Sequence, residues 1–90
     1  MTAYKRKSFI HSDIEFVIEV EPLDHAYVLT TYFANGNRAT KDLFSITYEE
    51  SDRYKLRNGI PGIDRAIEMV MESIERGYYF GGAMYDQDNP

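Results

Sequence analysis

Ile63, Ile67, Val70, Met71 and Ile74 recur at i, i+4, i+7, i+8 and i+11, a continuous apolar stripe at helical period that a lone helix cannot bury. A floor for it must come from elsewhere in the chain. With 90 residues there is material for one compact domain spanning 1–90. A chain of this size buries only about 60 to 65 % of the surface its unfolded form exposes, so a single core must draw on most of the apolar residues. Asp64 near the start of the stripe and Arg76 at its end suit the helix dipole, and Gly77 supplies a left-handed C-cap. Glu72 and Arg76 are spaced as an i, i+4 ion pair.

The floor is written in the first half. Ile14, Phe16, Ile18 and Val20 alternate with Glu15, Val17 and Glu19, the period-two signature of a half-buried strand. Pro22-Leu23-Asp24-His25 reads as a four-residue turn, and 26–33 (AYVLTTYF) as a second strand. Asn35-Gly36 follows, a strong hairpin signal because both residues tolerate positive φ. A third strand is expected from about Arg38 to Tyr48, with Phe44, Ile46 and Tyr48 on one face and Lys41 and Ser45 on the other. A two-residue loop pairs Phe33 with Arg38 and a bulged three-residue loop pairs it with Ala39; both registers are open. Thr47-Tyr48-Glu49-Glu50 fits a capping box, and Asn58-Gly59 ends that segment as a short helix or structured loop. Tyr78-Tyr79-Phe80 reads as a last short strand, with Gly81-Gly82 permitting a bulge or a close approach. The fold class is therefore α+β: an antiparallel meander of three to four strands packed against a C-terminal amphipathic helix, with one further short helix possible.

Composition narrows the function. The chain has no Cys, which removes disulfides and thiolate zinc sites, and no long apolar run, so neither a membrane span nor a signal-peptide core is expected. Fifteen acids face ten bases, and Lys5, Arg6 and Lys7 hold all the charge of the first ten residues; the remaining eighty carry −8. Such a body repels a phosphate backbone. The basic arm Tyr4-Lys5-Arg6-Lys7 fits phosphate or an acidic partner, and equally a solubilising terminus or edge strand.

No catalytic arrangement stands out. The two histidines, His11 and His25, are expected at exposed turns, and Ser12 beside His11 points away from it in an extended chain. Asp86-Gln87-Asp88-Asn89 offers oxygen ligands but lacks the Gly and the closing Glu of a calcium loop. Gly59-Ile60-Pro61-Gly62 precedes a helix without the Lys of a phosphate loop, so it reads as a turn that starts the helix. No enzyme activity, metal or cofactor is expected.

One surface stands out. If the odd-numbered side of the first strand faces solvent, Asp13, Glu15, Glu19 and Glu21 form a line with neighbours about 6.6 to 7 Å apart, close to the spacing of phosphates along a nucleic-acid strand. With a four-residue turn, Glu15 lies opposite Tyr32 and Glu19 opposite Val28. Tyr32 suits an interface because tyrosine buries a large rigid area and keeps a polar tip. Alternating glutamates also simply keep a half-buried sheet soluble.

The segment from Asn35-Gly36 through Gly59-Ile60-Pro61-Gly62 into Ile63-Asp64-Arg65-Ala66-Ile67-Glu68-Met69 resembles the hairpin, Gly-Leu/Ile-Pro-Gly turn and C-terminal helix of the smallest phage anti-CRISPR proteins that block type I-F surveillance complexes. The resemblance covers about half the chain; the basic arm, the extension from Tyr78 and the length of the loop before the helix depart from the pattern. It implies a non-enzymatic inhibitor that docks on Cas backbone subunits where guide or target nucleic acid would lie, using sheet-face Tyr and acidic side chains. Glu19 falls near a position where such proteins present a contact residue.

The expected function is thus a small acidic inhibitor, of anti-CRISPR or other phage anti-defence type, that occupies a nucleic-acid-binding surface of a protein partner through Asp13, Glu15, Glu19, Glu21 and Tyr32. It would be cytoplasmic, a monomer or homodimer, and would touch neither nucleic acid nor membrane directly. The alternative is a homodimeric interaction domain joined through Tyr78-Tyr79-Phe80 or the Tyr54–Leu56 region. A third reading is a nucleic-acid-binding module that uses the basic arm.

Overall fold

The computed structural model describes residues 5–84. Tyr4 of the basic arm and the Asp86-Gln87-Asp88-Asn89 run lie outside the described residues. Four strands, β1 (Lys5–His11), β2 (Ile14–Pro22), β3 (Ala26–Phe33) and β4 (Phe44–Thr47), are followed by helices α1 (Tyr48–Asn58) and α2 (Gly62–Glu75). The strands form one antiparallel sheet in the order β1-β2-β3-β4, a meander, as the α+β reading requires. The basic arm is its edge strand β1. Ser12 (φ 53°) and Asp13 (φ 64°) make the two-residue turn that pairs His11 with Ile14. Two successive positive φ values match the strand twist, which is why so tight a turn closes a hairpin. Asp13 was expected on the strand and stands in this turn instead.

The β2–β3 connection is also tighter than expected. Leu23 N donates to the Ala26 carbonyl at 2.8 Å, so Asp24-His25 form a two-residue turn, and Glu19 faces Thr30, Glu21 faces Val28 and Val17 faces Tyr32. The expected pairs of Glu15 with Tyr32 and Glu19 with Val28 are off by two residues. A slip of two leaves every side chain on its own face, so the division into buried and open sides survives.

The next hairpin follows neither expected register. Phe33 N donates to the Asn37 carbonyl (2.8 Å) and Gly36 N to the Phe33 carbonyl (2.9 Å), with Gly36 at φ 93°: a three-residue loop with a glycine bulge. Only an isolated bridge, Tyr32 to Arg38, continues the ladder, and β4 begins at Phe44 opposite Leu29. Three steps along β3, from Tyr32 to Leu29, are thus matched by six on the returning chain, from Arg38 to Phe44. The predicted strand from Arg38 to Tyr48 is reduced to Phe44–Thr47, and Tyr48 opens α1.

Both halves of the capping box are present: Glu50 N donates to the Thr47 hydroxyl, and Thr47 N donates to the Glu50 carboxylate, each at 3.0 Å. Gly59 (φ 82°) closes α1. The start of α2 is capped from its neighbour, Ile63 N donating to the buried Ser51 hydroxyl of α1 at 3.0 Å. A Cβ on Gly62 would stand 2.8 Å from Ser51 Cα, so glycine sets how closely α1 and α2 approach.

Helix α2 turns Ile63, Ala66 and Ile67 onto Ile18, Val20 and Leu29. At the far end Ile74 meets Phe16, Ala39 and Tyr79. Phe16 is the hub, with ring centroids at 5.4 Å to Phe9, 5.6 Å to Phe33 and 4.9 Å to Tyr79. Burying each such side chain is worth about 1.5–3 kcal/mol. Tyr78–Phe80, expected as a strand, is not one. A backbone bond, Phe80 N to the Ala39 carbonyl (2.8 Å), ties this segment to the chain between β3 and β4 and delivers Tyr79 to the core. On α2, Arg65 pairs with Glu68 (3.2 Å) and Glu72 (3.4 Å), so the expected Glu72–Arg76 pair gives way to Arg65.

Candidate functional site: the open face of the sheet

Even-numbered residues of β2 face α2, so its odd-numbered residues define the other side, which neither α1 nor α2 covers among the described residues. Cross-strand partners share a face, and the open side therefore carries Arg6, Ser8 and Ile10 from β1 and Glu15, Val17, Glu19 and Glu21 from β2. Val28, Thr30 and Tyr32 from β3 complete it, with Ser45 of β4 beyond them.

The centre of this face is a depression rather than a row of carboxylates. Val17 is only 8 % exposed although neither α1 nor α2 lies over it. Arg6, Glu19, Tyr32, Ala34 and Gly36 stand around it and form the wall of a half-open hollow of about 200 Å³. Arg6 Nε lies 3.3 Å from Glu19 Oε2 directly across the strand pair. An exposed pair of this kind adds at most about 1 kcal/mol to stability, but it neutralises the middle of the line.

Of the five residues expected to form the site, the structure brings four onto one face. Glu15 and Glu21 are exposed, and among the described residues neither has an ion partner. Six residues apart on one strand, they lie about 20 Å from each other. Glu19 is paired with Arg6, and Tyr32 stands half-buried beside Val17. Asp13 sits beyond the end of the row, in the turn. The continuous phosphate-like line is corrected to two separate carboxylates flanking a mixed-charge hollow.

Sequence reasoning placed Val17 on this face by parity and missed Arg6. Arg6 could have been found by extending the alternation of Phe9 and Lys7 back from a turn at Ser12-Asp13; that turn contains no glycine and gave no signal. The basic arm is not a free cationic tail, since Lys5 pairs with Asp64 of α2 as Arg6 does with Glu19.

Two side chains with shifted acidity lie on the helices. The backbone N–H of Thr47, and then its hydroxyl, hold the Glu50 carboxyl below its usual value. Hydrogen bonds to Glu68 and then Glu72 raise the Arg65 guanidinium. No group of three or more His, Cys, Asp or Glu side chains that could hold a metal occurs among the described residues. None of their helices is long and apolar enough to cross a membrane. His11 packs edge-on to Tyr79 with centroids 6.3 Å apart, and Ser12 lies in the turn beside it.

The patches expected for a homodimer separate. Tyr79 is in the core, while Leu56 of α1 is 88 % exposed between Lys55 and Arg57. Comparison with protein-family models, with curated proteins and with solved structures finds no match.

Proposed function

We propose that this chain is a non-enzymatic protein-binding module whose open sheet face covers a basic, nucleic-acid-binding surface of its target. The observation that carries this reading is the open side of a sheet whose other side packs against α2. It offers two carboxylates, Glu15 and Glu21, that have no ion partner among the described residues, on either side of a hollow walled by Tyr32. A basic groove complements the two carboxylates, and an apolar or aromatic side chain fits over Val17 and Tyr32. The net charge of −5 steers such an encounter. Within this class, the resemblance of the hairpin-to-helix segment makes the Cas backbone of a type I-F complex the target to test first, with the protein acting as its inhibitor.

The test is a mobility-shift assay of target DNA binding by the purified surveillance complex, with and without this protein. Inhibition is expected, and the double variant E15R/E21R abolishes it with an unchanged thermal midpoint. Inhibition retained by that variant refutes the open-face reading. No inhibition by the natural protein removes this target, and co-purification from a phage-susceptible host followed by competition with oligonucleotide then tests the broader class.

A further inference from the structure

Where the returning chain leaves β3, between Arg38 and Phe44, it arches over the helix side of the sheet. Beneath the arch lies a half-open cavity of about 210 Å³. Leu29, Phe44, Val70 and Ile74 give it an apolar lining, and Thr31 and Ser73 line it as well. The arch is held by its own bonds. Arg38 Nη2 donates to the Lys41 carbonyl at 3.2 Å and the Thr40 hydroxyl to the Asp42 carbonyl at 3.0 Å. Ala39 is fixed on both sides, its N–H donating to the Thr31 carbonyl (2.9 Å) and its carbonyl accepting from Phe80 N. Leu43, the residue of the arch best able to fill the space, is 57 % exposed. The cavity is therefore pre-formed, as ligand sites usually are.

We propose that this cavity binds a small neutral aromatic compound of the phenol class, with its ring on the apolar lining and its hydroxyl at the Thr31 and Ser73 hydroxyls. An apolar cavity of about 150 Å³ accommodates benzene, so this one holds a single ring with a polar substituent. Phe44 and Tyr78 line the space and supply ring edges and faces for the aromatic contacts such a ring prefers. Serine and threonine hydroxyls both donate and accept, which satisfies a phenol O–H without demanding charge. The exposed neighbours Lys41 and Asp42 that line the cavity offset each other in charge and the whole chain is acidic, so an aromatic carboxylate is repelled at long range. The cavity is on the covered side of the sheet, and this inference stands independently of the open-face reading.

The experiment is titration of the ¹⁵N-labelled full chain with phenol and, separately, with benzoate, followed by amide chemical shifts. Phenol is expected to give saturable shifts centred on Thr31, residues 40–44, Val70 and Ser73, with benzoate weaker by about tenfold or more. Ser73→Leu, which fills the cavity from α2, reduces phenol affinity by at least about tenfold while the rest of the spectrum stays native. Val70→Phe fills it from the same helix and serves if Ser73→Leu disturbs the fold. The inference is overturned by the absence of saturable shifts up to the solubility of phenol. It is equally overturned by benzoate binding as tightly as phenol, or by phenol shifts that survive in a folded filled variant.

Discussion

The two faces of the sheet are built from the same strands and alternate residue by residue, yet they hold their side chains by different means. On the covered face Phe16, Ile18 and Val20 are sealed under α2 and meet other apolar groups on every side. On the open face Val17 reaches nearly the same burial with neither α1 nor α2 above it, sheltered by the long side chains of Arg6, Glu19 and Tyr32. Burial by packing is worth kilocalories at each position, whereas shelter by charged side chains in water is worth little and can be displaced. A face of the second kind can exchange its cover for a partner's surface at low cost.

That contrast can be broken from either side. The largest effect belongs to the covered face: Phe16→Ala should cost about 3–5 kcal/mol and lower the melting temperature by more than about 12 °C in calorimetry. Glu15→Ala and Glu21→Ala, on the open face of the same strand, should each stay within about 0.5 kcal/mol of the parent. A Glu15→Ala loss as large as that of Phe16→Ala would mean that the two faces do not differ in this way. Next in size is Gly62→Ala, whose Cβ would press on the Ser51 backbone. About 1–3 kcal/mol should be lost, with amide exchange accelerated first in α1, whose buried residue Ser51 is the one displaced.

Smaller again is the capping box. Thr47→Ala should cost about 1 kcal/mol, or roughly 4–8 °C in melting temperature. Because the folded state holds the Glu50 carboxyl below its ordinary value of 4.5, its contribution is present above that pH. It is lost as pH falls through the lower folded value, so the difference between parent and Glu50→Gln, which removes the charge that Thr47 holds, should shrink in acid below 4.5. A difference that stays constant down to strong acid would contradict the Glu50 assignment. The smallest stability effect should come from Arg6→Gln, under about 1 kcal/mol and weakening with salt. It frees the Glu19 carboxylate, so binding to a basic surface should strengthen, and a weakened complex would place Arg6 itself among the contacts.

Much of this organisation was legible because it depends on local period and turn chemistry. The stripe from Ile63 to Ile74, the alternation from Ile14 to Val20, the capping box at Thr47 and the hairpin at Asn35-Gly36 each announce themselves within a few residues. Register did not, since it is set by how many residues a loop consumes. Asp24-His25 close in two residues where four were expected, and the slip between Arg38 and Phe44 depends on Ala39 being pinned by both Thr31 and Phe80. The candidate site inherits this division. Which face Glu15, Glu19, Glu21 and Tyr32 occupy follows from parity alone and was readable. The neutralisation of Glu19 by Arg6 requires β1 and its glycine-free turn, so it was not. Tyr78–Phe80 looked like a strand because aromatic runs favour strands, but Tyr79 is taken up by the ring cluster around Phe16, and Phe80 N bonds the Ala39 carbonyl outside any named strand.

The placement of Tyr79 against Phe16 also sets the order in which the molecule can be completed during synthesis. All four strands leave the ribosome before α2, and the meander can pair as it emerges because each strand meets its predecessor in sequence. Phe16 nevertheless stays partly wet until the segment after α2 arrives and its backbone clips onto Ala39. The aromatic cluster around Phe16 therefore stays unsealed until Tyr79, made after α2, closes it.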